Sequence, residues 1–133
     1  MPLVVDASVT ASWGLADEEH PVASRAFEIL RQQVETWAPW VWWFEVRNTL
    51  IVAERRHRIE PPDVAQFLSR LNRLPVLIDD EPREADVMHL ARRHRLSVYD
   101  AAYLELAQRK GASLATLDGA LATSATEAGL TLV

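Results

Sequence analysis

Short apolar runs alternate along this chain with longer segments in which apolar residues recur every three or four positions. Runs of the first kind indicate buried strands, and segments of the second kind indicate amphipathic helices. The predicted strands begin at Val4 and continue at residues 75–78, 112–117 and 130–133, with a short extended segment over 37–39. This alternating order favours an α/β fold in which a parallel sheet carries helices on both faces.

The helices predicted between these strands have proline or glycine at several of their ends. They cover residues 7–15, 21 to about 35, 40–56 and 99–110, and further helices begin at 61, 82 and 119. Pro21, Pro61 and Pro82 suit the first turn of a helix. Gly111 suits the position just past the end of one.

The composition is that of one globular domain. The chain has 133 residues, of which 49% are hydrophobic, and no linker, repeat or low-complexity tract divides residues 1–133. A core of this size is stable alone. There is no cysteine, which excludes disulfides and thiolate metal sites and is typical of a reducing compartment. We find no signal peptide and no run long enough to cross a membrane, so a cytoplasmic protein is expected.

The net charge of −5 excludes a global basic field, so a nucleic acid would need local positive patches. Three such patches are present, at residues 55–58, 92–95 and 109–110. Their cations are nearly all arginine, which favours bidentate contacts with the phosphates of a nucleic-acid backbone. The alternative is that they are solvated helix ends whose charges complement the helix dipole.

Four acidic residues stand within or at the end of apolar segments, where a carboxylate is costly. They are Asp6, Glu45, Asp100 and Asp118. Asp6 and Asp118 follow predicted strands, and sites in parallel sheets form at the carboxyl ends of strands. Glu45 and Asp100 lie on helices whose faces can turn toward that edge. Taken singly, the three aspartates have alternative roles as helix caps or turn residues, and Glu45 has one on an exposed helix face.

A shared site for these acids needs a cation. Two like charges about 4 Å apart repel by roughly 4 kcal/mol at an effective dielectric constant near 20, so the cluster must take up protons or a metal ion. Hard carboxylate oxygens without Cys or His partners select Mg²⁺ or Mn²⁺. The histidines, at positions 20, 57, 89 and 94, lie outside these segments and lack the spacing of metal ligands.

Two further features concern the surface. The acidic run at 79–81 precedes Pro82 and is expected to form a solvated loop. Four tryptophans crowd residues 37–43, where they could stack on nucleic-acid bases. Packing in the core or in a subunit interface is the favoured role, because large aromatic side chains dominate both.

Taken together, these segments resemble the PIN-domain family and, within it, the VapC toxins of bacterial toxin–antitoxin pairs. The matching stretches are residues 4–9, 44–50, 96–107 and 114–118. The segment that starts at Arg58 is similar to the middle part of the family. One such motif is weak alone, but four in this order and at these separations are specific, and the resemblance extends from end to end.

The resemblance implies a three-layer α/β/α sandwich and a metal-dependent endoribonuclease. The family's acidic quartet, which binds Mg²⁺ or Mn²⁺, corresponds here to Asp6, Glu45, Asp100 and Asp118. Its smaller polar residues, which orient water or phosphate, correspond to Ser8, Asn48 and Thr116. The resemblance further implies a homodimer, a small cognate antitoxin that covers the site, and transfer RNA or another structured RNA as substrate. Attack in line on phosphorus would leave a 5′-phosphate and a 3′-hydroxyl.

Other classes with carboxylates at strand ends match less well. A haloacid-dehalogenase-type phosphatase needs a second Asp two residues after the first, where Ser8 stands. A receiver domain needs a lysine at a strand end, whereas Lys110 is predicted at a helix end. A non-catalytic RNA- or partner-binding module is the alternative that only a measurement of activity separates from a nuclease.

Overall fold

The computed structural model describes residues 1–133 and contains one four-stranded sheet. Its strands are β1 (Leu3–Val5), β2 (Thr36–Pro39), β3 (Val76–Asp79) and β4 (Ser113–Ala115). They lie in the order β3-β2-β1-β4, and every neighbouring pair is parallel. The predicted parallel sheet is thus confirmed, and all four strands end at the same edge.

Seven helices connect and cover the strands. They are α1 (Ala7–Ser12), α2 (Pro21–Arg31), α3 (Val41–Arg55), α4 (Pro61–Leu71), α5 (Glu84–His94), α6 (Val98–Lys110) and α7 (Gly119–Glu127). Pro21 and Pro61 open their helices as predicted. Gly111 ends α6 with a left-handed φ of 59°, a conformation that glycine adopts without the steric cost of a Cβ. None of these helices has the length and apolar character needed to cross a bilayer.

The two faces of the sheet build two separate cores. Val4 belongs to a large cluster with residues from α3 to α7. Its neighbours in the strand, Leu3 and Val5, belong to a smaller cluster with Ala23 and Ala26 of α2. Successive residues of a strand point to opposite faces, so the short central strand packs helices on both sides. The fold is the three-layer α/β/α sandwich that the resemblance implies.

Several predicted boundaries change. The second helix ends at Arg31 rather than near residue 35, and Gln33, with a φ of 63°, turns the chain toward β2. The strand predicted over 130–133 is wrong, since this segment makes only an isolated bridge between Leu132 and Leu114. The helix predicted from residue 82 begins at Glu84. The extended segment at 37–39 is a full strand that pairs on both sides.

The prediction that β3 is buried is also wrong. β3 is one of the two edge strands of the sheet, and its residues Leu77 and Ile78 remain 45% and 41% exposed. An apolar run looks the same in a central strand and in an edge strand, but an edge strand has a neighbour on one side only. Only its last residue, Asp79, is buried.

The tryptophans of the 37–43 cluster have different environments. Trp42 is buried with Val46 and Leu50 on the inner face of α3, so core packing is confirmed for that residue. Its indole Nε1 donates to the Thr10 hydroxyl at 2.9 Å, and that hydroxyl donates to the carbonyl of Asp6 at 2.8 Å. Trp40 and Trp43, in contrast, are 62% and 46% exposed.

Candidate active site

The four acids come together at the carboxyl edge of the sheet. β1 and β4 pair so that Val5 lies opposite Ala115, and the residues that follow these strands are therefore neighbours. α3 and α6 begin at the same edge and bring Glu45 and Asp100. All four acids line one cleft of about 390 Å³, here called the acid pocket. Its acidic members are Asp6, Glu45, Asp100 and Asp118, with Glu18 on its wall.

Asp6 is the most enclosed of the four, with an exposure of 4%. Its Oδ1 accepts hydrogen bonds from the Ser8 hydroxyl at 2.7 Å and from the Val9 amide at 3.0 Å. Its Oδ2 accepts a hydrogen bond from the Thr116 hydroxyl. Asp6 is therefore the N-cap of α1, which was the alternative role predicted for it, and it also lines the pocket.

Ser8 and Thr116 connect the two ends of the chain at this point. The Ser8 hydroxyl donates to Asp6 and accepts from the Leu117 amide at 3.0 Å. The Thr116 hydroxyl donates to Asp6 and accepts from the Asp118 amide at 3.0 Å. Both hydroxyls thus fix the carboxylate of Asp6 and the backbone that leads to Asp118.

Asp118 is the N-cap of α7, where its Oδ1 accepts from the Leu121 amide at 3.1 Å. The side chain that stabilises the helix start thus also faces the pocket. Asp100 lies in the first turn of α6, and the cap itself is Ser97, whose hydroxyl accepts from the Asp100 amide at 3.1 Å. The carboxylate of Asp100 therefore makes no capping bond.

Glu45 is half-buried on α3, and the one hydrogen bond that its carboxylate accepts from the protein comes from α6. The hydroxyl of Tyr103 donates to its Oε1 at 2.7 Å. The alternative in which Glu45 lies on an exposed helix face does not hold, because the residue lines the pocket.

The pKa values of three of the acids record the crowding of negative charge. Burial raises the pKa of Asp6, and the nearby Asp118 raises it further. Burial likewise raises the pKa of Glu45, with Asp100 and Asp6 as additional causes. For Asp100 the causes of a raised pKa are burial and then Asp118. The four carboxylates therefore interact as one cluster that favours protons or a cation.

The donor set of this pocket suits a hard divalent cation, because it consists of carboxylate oxygens. No three Asp, Glu, His or Cys side chains already have the spacing of a metal site in this structure. The carboxylates thus share a pocket and repel one another without converging on one point.

The structure also brings in residues that sequence reasoning left outside the site. Thr49, Tyr103, Glu18 and His20 line the acid pocket. Tyr103 lies one turn after Asp100 on α6 and shares the helix face that was expected to turn toward this edge. His20 was expected to lie outside, and no local pattern connects it to the acids. Asn48, in contrast, is exposed on α3 and does not line the pocket.

A second acidic cluster lies near the same edge and differs in kind. Asp79 and Glu105 are buried, with exposures of 8% and 2%, and both bind Arg109. The guanidinium donates to both Asp79 oxygens at 2.9 and 2.7 Å and to Glu105 Oε1 at 2.7 Å. Arg109 holds the pKa of Asp79 below its ordinary value. The expectation that residues 79–81 form a solvated loop is therefore wrong for Asp79.

These bonds also change the interpretation of the positive patches. Arg109 is internal, and Lys110 lies over the ring of Trp37 at 3.9 Å. Arg58 forms ion pairs with Asp17 and Glu18. Exposed cations without such pairs include Arg92, Arg93 and Arg95, which end α5 just before the turn that leads to Asp100.

An exposed apolar face lies beside the pocket. It consists of Trp40, Phe44, Val98 and Tyr99, which line a second cleft, and of Trp43, whose ring is 4.9 Å from that of Phe44. Phe44 and Tyr99 directly precede Glu45 and Asp100 in the chain. A partner that binds this face would therefore lie next to the acid pocket.

Comparison with known proteins gives one consistent result. The family model described as PIN domain matches residues 3–125. Ribonuclease VapC3 of Pyrobaculum aerophilum is 35% identical over 126 residues, which cover 92% of this chain and 93% of that protein.

Solved structures share the fold. PAE2754 from Pyrobaculum aerophilum superposes with a TM-score of 0.73 at 20% identity, over 93% of this chain and 84% of that one. VapC20 of Mycobacterium tuberculosis, a toxin that cleaves the sarcin–ricin loop, superposes with a TM-score of 0.62 at 20% identity, over 98% of each chain.

Proposed function

Because this chain belongs to the PIN-domain family, we propose that it is a metal-dependent endoribonuclease and the toxin of a toxin–antitoxin pair. The single observation that carries the proposal is the acid pocket, in which carboxylates from four distant parts of the chain meet. Its partner at the pocket would be an RNA, and the reaction the hydrolysis of a phosphodiester bond. We also propose that the protein acts in the cytoplasm, where it would meet RNA.

We propose Asp6, Glu45, Asp100 and Asp118 as the residues that hold the ion, with Mg²⁺ as the ion and Mn²⁺ as a substitute. An ion held there would supply hydroxide from bound water near neutral pH and would neutralise charge on the phosphate. The raised pKa values of Asp6, Glu45 and Asp100 support this assignment, because the cluster lacks a cation of its own.

The residues around these acids orient them. Ser8 and Thr116 fix both oxygens of Asp6, and the Asp118 amide is held by the Thr116 hydroxyl. The family resemblance gives Ser8, Asn48 and Thr116 the task of orienting water or phosphate. The observed hydrogen bonds of Ser8 and Thr116 favour a different role, in which their hydroxyls orient the carboxylate of Asp6. The exposed arginines at the end of α5 are suited to hold the RNA backbone.

The test is cleavage of total cellular RNA by the purified protein with Mg²⁺ or Mn²⁺. Asp6→Ala and Asp100→Ala are each expected to lower the cleavage rate at least about 100-fold, because each removes a charge that the pocket uses to hold the ion. Asp80→Ala, which removes an exposed acid outside the pocket, is the matched control and should cleave like the wild type.

Cleavage that persists in both pocket variants, or after addition of EDTA, would contradict the metal-nuclease proposal. No cleavage of any cellular RNA by the metal-loaded wild type would favour the non-catalytic binding module. Mapping of the cleavage sites would then identify the substrate, for which transfer RNA or another structured RNA is expected.

We further propose that the protein is a homodimer and that the apolar face is its contact surface. Soluble monomers rarely expose a contiguous patch of large apolar side chains, and interface cores are rich in Trp, Tyr and Phe. Trp40 and Phe44 are both 62% exposed, and Tyr99 is 60% exposed. A two-fold contact through this face would bring two acid pockets close together.

Sedimentation of the chain alone tests the dimer. Phe44→Glu should dissociate it at micromolar concentration, because the change places a charge at the centre of the apolar face. Ile51→Glu changes another exposed apolar residue of α3, 39% exposed and outside that face, and should leave the dimer intact. A wild type that sediments as a monomer at micromolar concentration would contradict the proposal.

The second proposed partner is a small cognate antitoxin protein that covers the acid pocket. This proposal is supported by the similarity to VapC20, which is a toxin, and by the exposure of Asp118 at the edge of the pocket. Co-expression with the product of a neighbouring small gene should yield a complex without RNA cleavage. A complex that cleaves as fast as the free protein would show that the partner does not cover the pocket.

A further inference from the structure

Tyr103 lies in the large core and also lines the acid pocket. Its ring is 1% exposed and belongs to the large core. Its hydroxyl emerges from that core at the pocket wall and donates to Glu45 Oε1 at 2.7 Å. A rigid, buried ring thus holds a polar group at a fixed place beside a proposed ligand of the ion.

The same hydroxyl lies where three helices meet. Tyr103 is on α6 and Glu45 is on α3, and Ala7, the first residue of α1, lines the same pocket. Ala7 directly follows Asp6. The bond between Tyr103 and Glu45 therefore joins α6 to α3 beside the start of the helix that Asp6 caps.

The two carboxylate oxygens of Glu45 differ in their hydrogen bonds. Oε1 accepts from Tyr103, and the carboxylate accepts no other hydrogen bond from the protein. Oε2 is thus free of protein donors. A carboxylate held by one oxygen and free at the other is oriented in the way that outer partners orient metal ligands.

We infer that Tyr103 is a positioning residue that holds Glu45 in the orientation in which it binds the ion. This inference rests on the proposed metal-dependent function. Tyr103 itself would not contact the substrate, so its effect would pass through Glu45. Loss of an outer partner of this kind lowers metal affinity by about 10- to 100-fold.

The experiment compares Tyr103→Phe with the wild type by calorimetric titration of Mn²⁺ and by RNA cleavage. The change keeps the ring and removes only the hydroxyl. We expect the Mn²⁺ affinity to fall about 10- to 100-fold, with KM for RNA unchanged and kcat restored at high Mn²⁺ concentration. The control is Thr36→Val, which removes a buried hydroxyl at the start of β2 that donates to the carbonyl of Val34. It should leave the Mn²⁺ affinity unchanged.

An Mn²⁺ affinity of folded Tyr103→Phe within twofold of the wild type would overturn the inference. If that variant does not fold in buffer, both proteins are titrated in sucrose, which favours the folded state. The Mn²⁺ affinity of Tyr103→Phe should again be about 10- to 100-fold below that of the wild type, and equal affinities would likewise overturn the inference. A wild type that neither binds Mn²⁺ nor cleaves RNA would instead reject the proposed function itself.

Discussion

The carboxyl edge of the sheet carries two acidic clusters, and their charges are balanced in opposite ways. In the acid pocket, burial and mutual repulsion raise the pKa of Asp6, Glu45 and Asp100. In the network of Asp79, Glu105 and Arg109, a guanidinium lowers the pKa of Asp79. Asp6 and Asp79 are about equally enclosed, at 4% and 8% exposure.

The difference teaches that burial alone does not mark a functional acid. Asp79 and Glu105 have an internal cation and need nothing from outside, so their part is structural. In the acid pocket, by contrast, hydroxyl or amide groups donate to three of the four carboxylates, and none of the four forms an ion pair. A buried carboxylate without a counter-charge is costly, so the pocket is the cluster that would gain from an added ion.

The largest expected effect is the loss of the internal cation. Arg109→Met should lower the free energy of unfolding by about 3–5 kcal/mol, because it leaves two buried carboxylates without their partner. Urea denaturation with EDTA present measures it. Arg73→Met, which changes an exposed arginine, is the control and should have a small effect. If Arg109→Met lowered the free energy of unfolding no more than the control does, the proposed difference between the two clusters would be wrong.

The second effect is the response to an ion. Mn²⁺ at 100 times its dissociation constant should raise the free energy of unfolding by about 2.7 kcal/mol, because it binds the folded chain only. Asp118→Asn should reduce this gain at the same concentration, whereas Asp80→Asn should not. Thermal unfolding with and without Mn²⁺ gives the comparison. An equal gain in both variants would mean that the ion binds elsewhere.

The smallest effect is on pH dependence in the absence of metal. The pKa of Asp6 is raised above 3.8 in the folded chain, so ionisation of this carboxyl lowers the stability of the folded chain. This loss of stability is absent below pH 3.8 and grows as the pH rises through the folded pKa. The free energy of unfolding of Asp6→Asn, relative to that of the wild type, should therefore rise between pH 3.8 and pH 7. For Asp79→Asn, whose carboxyl has a lowered pKa, the corresponding difference should change with pH in the opposite direction. Urea denaturation across this range checks both.

Much of the site follows from sequence because strand-end geometry is a local property. Asp6 and Asp118 follow apolar runs, and a parallel sheet brings such positions to one edge. The alternative roles were not exclusive, since Asp6 and Asp118 cap helices and line the pocket at once. Glu45 caps no helix and lies in the pocket with its carboxylate bonded to Tyr103.

Other features could not be predicted because they depend on distant pairs or on neighbours in the sheet. Arg109 meets Asp79 across 30 positions, and no periodicity encodes that contact. The exposure of Leu77 and Ile78 depends on strand order, which an apolar run does not reveal. Trp42 could have been separated from Trp43, because Trp42, Val46 and Leu50 recur at helical spacing and lie on the buried face.

The hydrogen bond between Asp6 and Thr116 joins positions that lie 110 residues apart. On the ribosome, Asp6 and the strand β1 emerge early, but β1 gains its second neighbour only after β4 has been made. Long-range pairing of this kind is slow and late in folding. A nascent chain therefore cannot assemble the acid pocket while it is being translated. A toxic activity built this way would stay inert beside the ribosome that produces it until nearly the whole domain has been released.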